Sequence, residues 1–151
     1  MSVSPGFWPL LNGSTMRLMA YPDAQDCAPK FSNLFRATWS RLPVSVQNTL
    51  IAKWEASDDG CPTFVLHYDL DDHALGIGTY GVHSDQARFD FSAVKLRKMP
   101  DRLVETLIAH ELGHCVLGHT GDYLAAHESE ADTLVSSWGF PMNELREFLR
   151  I

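Results

Sequence analysis

Phe31, Leu34, Phe35, Thr38, Trp39 and Leu42 recur at the three- and four-residue spacing of one buried helical face. Pro43 stops that run and can open a second helix, with Val46, Leu50, Ile51 and Trp54 on its inner side. Past the turn-rich SDDGCP at Ser57–Pro62 the period changes. TFVLHY (Thr63–Tyr68) is a short apolar run rich in β-branched and aromatic residues. ARFDFSAV (Ala87–Val94) alternates in period two, with Phe89 and Phe91 opposite Arg88 and Asp90. LGIGTYGV (Leu75–Val82) alternates glycine with larger residues, which leaves room for a second backbone to approach. Two or three strands are expected here. From Pro100 the helical spacing returns through Leu103, Val104, Leu107, Ile108, Leu112, Val116 and Leu117, with Gly118 as its stop. A further helix is expected over about Ala125–Ser137, and a last one from Pro141 that buries Met142, Leu145, Phe148 and Leu149. Residues 1–28, with Pro5, Pro9 and Pro22, read as an irregular arm, and residues 29–151 as the domain proper. Helices, strands and helices again make an α+β arrangement.

Composition narrows the classes. A chain of 151 residues, 45% of them hydrophobic, is one domain with enough apolar side chains for a core. A formal net charge of −7 argues against nucleic acid as a partner, since phosphates call for clustered Lys and Arg. The densest basic run, Lys95–Lys98, reads as a solvated strand end. Cys27, Cys61 and Cys115 are odd in number and have no paired spacing, which fits a reducing compartment. The N-terminus lacks a basic region ahead of an apolar stretch, and no apolar run approaches the roughly 18 residues of a membrane span. A cytoplasmic protein without a membrane partner is the expectation.

The chemistry concentrates in LIAHELGHCVLGH (Leu107–His119). On a helix His110 and His114 lie about 40° apart and about 6 Å along the axis, so both imidazoles can reach one tetrahedral ion. Glu111 projects beside them as a general base rather than a ligand, the H-E-x-x-H logic of zinc peptidases. A catalytic zinc takes a third protein ligand and leaves a fourth position for water. His119 would point roughly 180° away from His110 on a continued helix. His127 has no spacing to recommend it. Glu128 and Asp132, four apart, can point from one helix face toward the motif helix, one as ligand and the other accepting the free N–H of a ligand histidine. Glu130 lies on another face.

HELGHCVLGH followed by ESEADTLVSSWGFP resembles the gluzincin metallopeptidases, most closely the ImmA/IrrE family, whose H-E-L-G-H helix precedes E-x-E-A-[ND]-x-F-A-x-x-L-L-M-P. Glu128, Glu130, Ala131, Asp132 and Pro141 match in register. Leu134 stands at the phenylalanine position, Val135 at the following alanine, and WGF where LLM is expected. The resemblance spans roughly Leu103–Pro141. It implies a zincin-like fold, with a small twisted sheet packed on the motif helix. It implies zinc held by His110, His114 and Glu128, with Glu111 as base, in an intracellular peptidase that often acts on a transcriptional repressor. The substrate would be a protein or peptide, held extended along an edge strand, either Leu75–Val82 or Ala87–Val94. Tyr123 and His127, both near the motif in sequence, are candidates for help at the oxyanion, with an ordinary surface or loop role as the alternative. Two other classes stay open: a zinc-stabilised interaction or sensor module without turnover, and a non-peptidase zinc hydrolase acting on a small molecule.

Overall fold

Alternation along the central strands decides which side of the sheet carries the helices. On β3 (Thr63–His67) Phe64 and Leu66 face inward, and on β5 (Gln86–Ser92) Phe89 and Phe91 do the same; all four are fully buried. The computed structural model describes residues 6–10, 16–56, 62–69, 78–83, 86–118 and 125–149. Three more strands, β1 (Gly6–Pro9), β2 (Arg17–Ala20) and β4 (Gly78–His83), complete a five-stranded sheet in the order β1-β2-β3-β5-β4. β2, β3 and β5 run parallel, while β1 and β4 lie antiparallel at the two edges.

A parallel pair needs a long crossover. Between β2 and β3 it is made by α1 (Ala28–Arg41) and α2 (Val44–Glu55). Aromatic contacts seat them on the sheet: Phe31 on Phe91 at 5.0 Å between ring centroids, Phe35 edge-on to Phe64 at 4.9 Å, and Trp54 edge-on to Phe64 and Phe89. A short helix α3 (Ala93–Leu96) follows β5, and then come α4 (Asp101–Leu117), α5 (Ala125–Ser137) and α6 (Met142–Leu149). From Leu103 to Cys115 every residue of α4 except Glu105 is buried, so α4 is a helix enclosed on all sides. It stops at Gly118, whose φ of +73° is the left-handed conformation that glycine adopts at low cost. Lys53 of α2 donates to the Cys115 carbonyl at 2.9 Å, satisfying an acceptor of the last turn.

The architecture mixes helices and strands and is compatible with α+β. The expected helices are present, and three strands form in the middle region, residues 75–77 of the strand expected at Leu75–Val82 lying outside the described residues. Three expectations differ from the structure. Ile51, expected on the inner side of α2, is exposed, and the helix buries Leu50 and Trp54. The irregular arm expected over residues 1–28 instead carries β1, β2 and a 3-10 helix at Pro22–Cys27; Leu18 and Ala20 are fully buried and β2 pairs with β3. The basic run at Lys95–Lys98 is not a strand end: Ser92 accepts from the Lys95 amide, turning the chain into α3. Among the described residues no helix is long and apolar enough to cross a membrane.

Candidate metal centre

His110 and His114 face the same point from successive turns of α4. Their rings are nearly perpendicular, with centroids 4.6 Å apart and Nε2 atoms 3.0 Å apart. From the first turn of α5, Glu128 brings Oε2 to 2.8 Å from His110 Nε2 and 3.4 Å from His114 Nε2. Close helix packing permits this reach. Gly113 lies opposite Ala131 and Val135, where a Cβ would come within 2.9 Å of Val135 Cγ2. Among the described residues His110, His114 and Glu128 are the group whose donor atoms converge closely enough to hold an ion.

The donor set can be tested against zinc. Bonds of 2.0–2.1 Å in a tetrahedron place neighbouring ligand atoms roughly 3.3 Å apart. The observed separations of 2.8, 3.0 and 3.4 Å bracket that edge. Two imidazole nitrogens and a carboxylate oxygen pointed at one spot need a cation between them, a proton or a metal. The residues fit zinc.

The electrostatics follow from enclosure. Burial disfavours charge on His110, but the Asp132 and Glu128 carboxylates outweigh it and lift the imidazole to about 9. Burial likewise opposes ionisation of Glu128, yet hydrogen bonds from His110 and His114 hold its carboxyl well below the ordinary range. Glu111, only 3% exposed, goes the other way: burial raises its carboxyl pKa against the pull of the two histidines. Glu111 is thus a buried carboxyl next to the two histidines that takes up a proton more readily than a solvated one.

Asp132, one turn beyond Glu128, lies with Oδ1 3.1 Å from His110 Nδ1. The two atoms are in ion-pair contact without hydrogen-bond alignment, and the nearness of the carboxylate favours the proton on Nδ1, leaving Nε2 as the donor atom. His127 is half-buried on α5 next to Glu128 but does not belong to the converging group, and Glu130 is exposed. Cys115 is buried in the core. Tyr123 and His119 lie outside the described residues.

One residue of the cluster escapes sequence reasoning. Arg146 of α6 donates through Nε and Nη2 to both oxygens of Asp132 at 2.8 Å, and through Nη2 to Glu128 Oε2 at 3.1 Å. Its only signal in the sequence is its position directly after the buried Leu145 of an amphipathic helix.

No protein-family model matches the chain, no curated protein matches it in sequence, and no solved structure matches it in fold.

Proposed function

We propose that the protein is a zinc-dependent metallopeptidase of zincin-like fold, acting on protein or peptide substrates inside the cell. The observation that carries this reading is the convergence of His110, His114 and Glu128 beside the buried Glu111. Among the described residues three protein donors converge, the number that a catalytic zinc takes, and this supports a reading with turnover. Zinc held there would polarise a carbonyl and acidify a water molecule.

The chain's own residues do the rest. Glu111 takes the proton of the attacking water and delivers it to the leaving amine, a role its raised pKa suits. Asp132 keeps His110 in the tautomer that presents Nε2. Of the two strands considered for substrate, β5 is enclosed between β3 and β4, whereas β4 is at the sheet edge and lies alongside α4. An extended peptide could add to β4, the edge strand on the α4 side of the described sheet.

The test is Glu111→Gln, which keeps shape but removes the basic oxygen. Zinc content, read by elemental analysis, should be unchanged, while cleavage of an unstructured protein should fall by at least ~10²–10⁴-fold. Lost zinc would make Glu111 a ligand, and unchanged cleavage would refute its role as base.

A further inference from the structure

Arg146 enters the cluster from α6, between the two carboxylates of α5. We propose that Arg146 is a positioning residue of the metal centre: its guanidinium fixes Glu128 and Asp132 where Glu128 and His110 present their donor atoms, so that zinc retention depends on α6. This deepens the reading of the cluster as a zinc centre and rests on it.

Glu128 and Asp132 are one turn apart on a single helix, and like charges at that spacing repel. Arg146 supplies the counter-charge and the geometry together. Nε and Nη2 form a fork on Asp132, and Nη2 extends to Glu128 Oε2. A lysine ammonium carries the same charge without the planar fork.

The contacts lead to the donor atoms by two routes. Asp132 Oδ1, gripped by Nη2, is the oxygen that faces His110 Nδ1. Glu128 Oε2, reached by the same Nη2, is the oxygen nearest both histidine Nε2 atoms. α6 is held in place independently of the cluster: Met142 and Leu145 are buried, and Glu144 accepts from Arg102 of α4 at 2.8 Å. The fork is thus presented from a seated element, as a bidentate clamp requires.

The experiment compares wild type, Arg146→Gln and Arg146→Lys as full-length chains stripped of metal. Zinc affinity is measured by competition with a chromophoric chelator, and the visible spectrum of the cobalt(II)-loaded protein reports the ligand geometry; circular dichroism checks the fold. Arg146→Gln should lose roughly 10–100-fold in zinc affinity, the usual cost of removing a partner that orients a ligand. Its cobalt spectrum should change as Glu128 relaxes. Arg146→Lys should recover only part of the loss. In an Asp132→Ala background Arg146→Gln should cost clearly less than in wild type, because one route is already gone. A folded Arg146→Gln variant with wild-type zinc affinity and cobalt spectrum would overturn the proposal. So would a lysine variant equal to wild type, and that comparison decides alone if the glutamine variant does not fold. A wild-type chain that binds neither metal would remove the zinc centre itself, which the reference sample reveals before any variant is compared.

Discussion

On the face of β3 and β5 turned away from the aromatic core, His67 Nε2 lies 2.7 Å from Asp90 Oδ1, and Arg88 Nε closes on the same carboxylate at 3.0 and 3.2 Å. Across α4, α5 and α6 the same three residue types meet again as His110, Asp132 and Arg146. The two trios differ in which ring nitrogen faces the aspartate. His67 spends Nε2 on Asp90, and no converging metal-capable group includes it among the described residues. His110 turns Nδ1 to Asp132, which leaves Nε2 for the point where His114 and Glu128 converge. Enclosure differs too: the His110 side chain is 0% exposed and that of His67 23%. A His–Asp–Arg trio is therefore not in itself a candidate metal site; the convergence of further donor atoms is what sets the second trio apart.

The largest expected effect separates the trios outright. His110→Ala or His114→Ala should abolish zinc binding, and with it the rise in melting temperature that added zinc gives the wild type. His67→Ala should bind zinc like wild type. Zinc-dependent melting curves of the three variants check this, and a wild-type zinc response in His114→Ala would break the comparison.

Carboxylates come next. Glu128→Ala should weaken zinc binding far more than Glu130→Ala, because only Glu128 reaches the histidines. Equal, mild losses in chelator competition would move the third ligand to His127 or His119. Asp132→Ala should cost roughly 10–100-fold in zinc affinity, as partners of ligand histidines do, while Asp90→Ala should cost nothing.

Much of this arrangement is legible in the amino-acid order, and the reason is locality. Leu103, Val104, Leu107 and Ile108 repeat within a few residues of one another, so α4 and its two histidines can be read from spacing alone. Glu128 and Asp132 share a helix face for the same reason. β1 and β2 are four residues each, too short for alternation to stand out, and β2 is a strand because it pairs with β3 across more than 40 intervening residues. That β4 and not β5 is at the edge of the described sheet follows from the pairing of β3 with β5. Arg146 is the same case at the scale of one side chain: an arginine beside a leucine on an amphipathic helix is usually solvated, and only the packing of α6 brings it to Asp132.

The smallest effect is a pH dependence with opposite signs for the two forms. The folded-state pKa of His110, about 9, stands above its ordinary 6.5. The stability it gives the metal-free chain is therefore complete below about 6.5 and is lost as pH rises through about 9. Glu128 and Asp132 have lowered values, so their contribution is present above their ordinary 4.5 and 3.8 and is lost as pH falls below these. Zinc competes with the His110 proton, so its affinity should increase over the window in which the metal-free chain weakens. Melting temperatures between pH 6.5 and 9, with and without zinc, should diverge; parallel curves would place the titrating group outside the centre.

Elemental analysis of the purified wild-type chain, after reconstitution with zinc and removal of excess metal, tests the central claim most directly. A three-donor centre on α4 and α5 predicts about one zinc per folded chain, lost in His110→Ala and kept in His67→Ala. A well-folded preparation with zinc near zero would contradict it.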